Sequence, residues 1–126
     1  MKNYTFPKWT ELPEIDLYMD QVITYINEKL KDTYFYDEKF ITKAMINNYV
    51  KDGVLPRPNQ KKYGREHLSR LLMICLLKSV LSLPEIDSTL RGLTATQPIG
   101  DLYQDFADAQ SIALREVAER VDALSD

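Results

Sequence analysis

"MINNYVKDGVLPRPNQKKYGREHL", residues 45–68, decides how this chain is read. It starts as a helix, stops at Gly53, passes two prolines, turns basic and restarts as a helix. Gly53 suits the left-handed position just past a helix end. Thr42, three residues before the stretch, suits an N-cap. A helix is therefore predicted from Lys43 to Asp52. Pro56 and Pro58 exclude helix across "VLPRPNQKKY", because proline lacks the N–H and clashes with the preceding turn. That segment reads as a short loop or hairpin. The next helix is predicted over Arg65–Leu81, apolar at Leu68, Leu71, Leu72, Cys75, Leu76 and Val80. Its run Leu71–Leu77 is apolar all the way round, so it needs cover on most sides.

Upstream, Ile15, Tyr18, Met19, Val22, Ile23, Ile26 and Leu30 recur at three- and four-residue spacing. That predicts one amphipathic helix over residues 14–31, with Pro13 in its first turn. Residues 1–12 read as extended and aromatic, since Phe6 and Leu12 each precede a proline. The connector "DTYFYDEKF" carries Tyr34, Phe35, Tyr36 and Phe40, expected to pack on the core. Downstream, Ser82 caps a predicted short helix, Leu83–Leu90, with Pro84 in its first turn. "RGLTATQPIG" reads as a linker. A last helix is predicted over Asp101–Leu124, where Leu102, Phe106, Ala109, Ala113, Val117, Val121 and Leu124 form a near-heptad stripe. The expected class is all-α. Residues 1–92 form the main domain, and 93–126 form a linker and an amphipathic helix for packing or dimerisation.

The chain has 126 residues, 44% hydrophobic and 28% charged, enough for a core without staples. Its single cysteine cannot form an internal disulfide. The opening lacks the apolar stretch of a signal peptide, and "LLMICLL" is far too short to span a bilayer. A soluble cytoplasmic protein with no membrane partner is expected.

Charge is distributed unevenly. Residues 39–78 hold nine Lys and Arg against two acids, net +7, while the remainder holds seven against seventeen, net −10. A basic segment in an acidic chain is the footprint of an anion-binding face. Clustered surface charge without function is the plainer alternative. The size of the contrast argues against it. So does its placement: Lys43, Asn47 and Lys51 share one helix face. Asn47 and Asn48 are poor helix formers, and an exposed asparagine amide can read a base edge. Tyr49 is expected at the edge of the groove. The following loop offers Arg57, Lys61 and Lys62, with Tyr63 as anchor, and Arg65 follows. Such cations suit phosphates.

The order of these elements resembles the MerR-type winged helix. The matching residues are Tyr49, Lys51, Gly53, Val54, Leu55 and Pro56, then Lys61 and Tyr63, then Glu66 and Leu68, then Ser82, Leu83, Glu85 and Ile86. More narrowly, "MINNYVKDGVLP" behind "KWTELPEIDLYMDQV" resembles a small MerR-like family of low-GC Gram-positive bacteria without assigned function. The resemblance implies a winged helix-turn-helix with a short basic wing, and a transcriptional regulator that binds double-stranded DNA. It also implies a homodimer joined through the C-terminal helix. The departures are Asn48 where a tyrosine is usual, Asn47 where an arginine is common, a shorter wing and a longer first helix. The segment that senses metals or drugs in other members is missing, so the resemblance identifies no effector. The alternative is a protein-interaction module on the same scaffold.

Catalytic chemistry is not expected. His67 reads as a surface or capping residue and Cys75 as a small core residue. No His/Cys cluster has metal-ligand spacing, and four glycines make no phosphate loop. The chain is read as a non-enzyme with no cofactor.

Overall fold

The computed structural model describes residues 6–31 and 40–124. They form five α-helices, α1 (Met19–Leu30), α2 (Lys43–Lys51), α3 (Arg65–Leu77), α4 (Leu83–Thr94) and α5 (Ile99–Leu124). Two short strands, β1 (Leu17–Tyr18) and β2 (Lys62–Tyr63), pair antiparallel. A single 3-10 turn covers Trp9–Glu11. The mostly helical class expected from the sequence is what the chain adopts.

α3 is the axis of the core. Leu68 and all six residues from Leu71 to Leu76 are buried. The all-round apolar run requires this, and α1, α4 and α5 all pack against α3. Each buried Leu or Ile side chain contributes roughly 1.5–3 kcal/mol relative to exposure. α3 stops at Leu77, four residues earlier than predicted. The N–H groups of Val80 and Leu81 both turn back to the Leu77 carbonyl, and Val80 is 75% exposed. Ser82 then caps α4 reciprocally: its hydroxyl accepts from Glu85 N–H, and Glu85 Oε1 accepts from Ser82 N–H. Hydrogen bonding from the Ser82 backbone and side chain to the carboxylate lowers the Glu85 carboxyl from its ordinary value. α4 runs four residues past its predicted end. Much of the expected linker at 91–100 is therefore helical.

The first helix differs more. Residues 14–18 are not helical: Leu17 pairs with Tyr63 and Tyr18 with Lys62. Gln21 Oε1 accepts the Tyr18 N–H and starts α1 there. Ile15 and Tyr18, expected on the apolar face, are 73% and 52% exposed. Their spacing fitted a helix, but strand pairing with β2 takes the backbone instead.

The face of α5 is also shifted. The predicted stripe was Leu102, Phe106, Ala109, Ala113 and onward, whereas the buried residues are Leu102, Tyr103, Ala107, Leu114 and Ala118. Tyr103 fixes this. It is fully buried, and its hydroxyl donates to the Pro7 carbonyl at 2.7 Å. Burial pushes its phenol strongly upward. The rings of Phe6 and Trp9 each lie 6.1 Å from it. Gly100 permits that approach, because a Cβ there would sit 3.1 Å from Trp9. α5 side chains also satisfy the N-terminal backbone: Ser111 Oγ accepts from Phe6 N–H and Gln104 Oε1 from Trp9 N–H. The first half of α5 thus belongs to the main core. Val117, Val121 and Leu124 remain exposed.

Phe40 packs in the core as expected. Tyr34, Phe35 and Tyr36 lie outside the described residues. No helix among the described residues is long and apolar enough to cross a membrane.

Candidate nucleic-acid interface

α2 begins and ends where the sequence places its caps. Thr42 Oγ1 accepts from Met45 N–H at 3.3 Å. At the other end Gly53 has φ +77°. Gly53 N–H reaches the Val50 carbonyl and Val54 N–H the Tyr49 carbonyl. This is the paired closure that a left-handed glycine permits. Arg91 of α4 ties down the result: its Nη2 donates to the Gly53 carbonyl at 2.9 Å while Nε holds Asp87.

The start of α2 is set by two clamps on Phe40 and Ile41. From α1, Asn27 Oδ1 accepts both of their N–H groups, at 2.8 and 3.2 Å, and Nδ2 donates to the Ile41 carbonyl. From α3, Lys78 Nζ and the Cys75 thiol donate to the Phe40 carbonyl. Lys78, counted in the basic segment, is therefore a structural cation.

Between those fixed ends, Ile46 and Tyr49 face the core, and Lys43, Asn47, Asn48 and Lys51 are all exposed. Lys43, Asn47 and Lys51 share one face, as the spacing predicts, and Asn48 is exposed next to Asn47. Tyr49 is not at its edge. It is buried, and burial raises its phenol above the ordinary value.

The basic loop is a hairpin. Asn59 and Lys62 exchange both N–H···O bonds at 3.0 Å. Gln60 and Lys61 form the two-residue tip, with φ +51° and +65°. Two left-handed residues make the turn that matches strand twist, a turn that ordinarily takes Asn-Gly. Arg57, Gln60 and Lys61 are exposed. Lys62 is half-buried, its ammonium 5.3 Å from the centre of the Tyr18 ring.

Two expected site residues serve the scaffold. Tyr63 is buried and meets His67 edge-on, with ring centres 5.2 Å apart. Arg65 Nε donates to the Leu12 carbonyl, and its Nη2 lies 3.8 Å from Glu14. It ties the N-terminal segment to α3 rather than standing free. His67 caps α3 as the sequence suggests. Its Nδ1 accepts from Gly64 N–H at 3.0 Å, so Nε2 carries the proton and donates to the Pro56 carbonyl at 3.1 Å. That staples the hairpin base to α3.

Cys75 is buried, and desolvation pushes its thiol up to about 11 despite nearby Lys78. The thiolate is the reactive form, so native protein at pH 8 should resist iodoacetamide. Labelling followed by mass spectrometry checks this: modification should appear only as fast as the chain unfolds. Rapid labelling of the folded protein would show that the thiol is accessible.

Sequence reasoning missed Tyr18 and Asn27. A two-residue strand leaves no readable alternation, and an asparagine on a helix gives no sign of the backbone it will meet.

A family described as a domain of unknown function (DUF1836) matches residues 7–106. The chain belongs to that family. The match runs through the expected boundary at residue 92 and takes in the first turns of α5, consistent with their place in the core. No curated protein and no solved structure matches the chain.

Proposed function

We propose that this protein is a MerR-like winged helix-turn-helix that binds double-stranded DNA and regulates transcription. α2 enters the major groove, where Asn47 and Asn48 face base edges. Lys43, Lys51, Arg57 and Lys61 hold phosphates beside it. The observation that carries the reading is the exposed α2 face of two lysines and two asparagines, held at both ends and followed in the chain by a basic hairpin. Asparagine can pair with adenine in two hydrogen bonds, and lysine suits the backbone. Regulators of this build act on two half-sites as dimers. The exposed Val117, Val121 and Leu124 of α5 are the surface assigned here to a second copy.

The test is fluorescence polarisation on random 30-base-pair duplexes at 50 and 200 mM salt. About four phosphate contacts per chain give a log–log slope near −3.6, so affinity should fall roughly 100-fold across that range. Selection from the pool should yield a preferred site, and Asn47→Ala should change the ranking of bound sequences. An unchanged ranking would mean that α2 does not read bases.

The second reading is a protein-interaction module using the same basic face. The exposed apolar end of α5 favours it as a further contact surface. Absence of binding to any duplex at 50 mM salt would select it.

A further inference from the structure

We infer that the N-terminal segment is part of the DNA interface, with Tyr18 packing directly against the sugar–phosphate strand beside the groove that α2 enters. The inference rests on the DNA-binding reading above and adds a residue and a type of contact to it. β1 and β2 make a two-stranded ribbon whose faces differ. Leu17 and Tyr63 point inward, 8% and 4% exposed, while Tyr18 points outward, 52% exposed, opposite Lys62. The Lys62 ammonium lies 5.3 Å from the ring centre. Half of the Tyr18 surface is thus open to solvent beside a lysine ammonium. It presents a flat apolar surface, a hydroxyl donor and an adjacent cation together. That combination suits a deoxyribose against the ring, with flanking phosphates on the hydroxyl and the ammonium.

β2 follows directly on the hairpin tip at Gln60 and Lys61, so the Tyr18 ring, on β1 opposite Lys62, lies on the strand next to the one that carries the tip cation. The acids nearest the ribbon in sequence have partners of their own. Glu14 faces Arg65 at 3.8 Å, and Asp16 Oδ1 lies against Gly64, 3.0 Å from where a Cβ would stand.

A ring contact and a charge contact differ in their salt signature. Only displaced counterions enter the slope. Tyr18→Thr keeps a strand-forming residue and removes the ring, so the fold should survive. Affinity for duplex should drop about fivefold at every salt concentration, with the log–log slope unchanged. Tyr18→Phe should keep most of the affinity. Lys62→Gln should instead flatten the slope by about 0.9. If Tyr18→Thr binds like the parent protein, the inference fails and the DNA-binding reading stands. If Tyr18→Thr flattens the slope as Lys62→Gln does, the ring only positions the lysine, and direct contact is overturned. If the parent protein binds no duplex, both readings fall together.

Discussion

Asn27→Ala is expected to destabilise the protein by about 3 kcal/mol, the largest effect of any single polar substitution proposed here. The side chain is only half-buried, but it acts as a piece of backbone. One carboxamide accepts from Phe40 and Ile41 N–H and donates to the Ile41 and Ile23 carbonyls. Alanine removes all four bonds and leaves the Phe40 and Ile41 N–H groups beside buried side chains without an acceptor. An unsatisfied buried donor costs about 1–3 kcal/mol, more than the net worth of the bond itself. The midpoint of thermal unfolding should therefore fall by about 10 °C. Asn27→Asp keeps the two accepted bonds and should lose less than half as much. Differential scanning calorimetry on both variants separates the cases. A loss below 1 kcal/mol for alanine would mean that Phe40 and Ile41 are held by apolar packing alone. The residues in question lead directly into Thr42, the cap of α2. A stability loss here should be accompanied by weaker DNA binding, because the start of α2 is no longer fixed.

The legible parts of this fold were those whose cause is local. Thr42 and Gly53 bracket α2 because capping chemistry acts within one turn, and Ser82 with Glu85 starts α4 for the same reason. The apolar run of α3 could only be central. The α2 face was readable because Lys43, Asn47 and Lys51 recur at four-residue spacing. What failed depended on distant partners. Residues 14–18 have helical periodicity, yet pairing of Leu17 with Tyr63 draws them into a strand. The buried face of α5 lies one residue out of phase with the sequence stripe, because Phe106 and Tyr103 are equally good apolar anchors in a pattern. Only the Pro7 carbonyl, almost a whole chain away, makes Tyr103 the buried one. Arg65 and Lys78 counted as free cations in the charge sum. They spend their donors on the Leu12 and Phe40 carbonyls, which no spacing rule connects to them. The net charge of the segment therefore overstates what its surface offers to a phosphate, and among the described residues the exposed set narrows to Lys43, Lys51, Arg57 and Lys61, with Lys62 shared.

Removing both hairpin lysines should lower affinity for every duplex about 50-fold at 0.1 M salt and flatten the log–log slope by about 1.8, since the proposed Lys61 contact and the Lys62 contact that the further inference adds to it each contribute about 0.9. Lys61→Ala with Lys62→Ala should leave the preferred sequence unchanged, because the base contacts proposed above lie on α2. A sharper test uses the strain at the tip. Gln60 and Lys61 occupy left-handed backbone, φ +51° and +65°, which residues with a Cβ adopt at a cost of about 1 kcal/mol or more each. Asn-Gly is the pair that this turn prefers. Exchanging the tip for it, Gln60→Asn with Lys61→Gly, should raise stability by about 1–2 kcal/mol once the greater freedom of glycine in the unfolded chain is offset. The same exchange removes one cation and should weaken binding about tenfold. Stability and binding would then move in opposite directions from one two-residue change. That divergence is what a functional tip predicts, because a hairpin tip kept only for the fold would have no reason to carry strained side chains. If the exchanged protein is more stable and binds duplex as tightly as the parent, the tip touches no phosphate, and the contacts must lie on Arg57 and the α2 lysines alone.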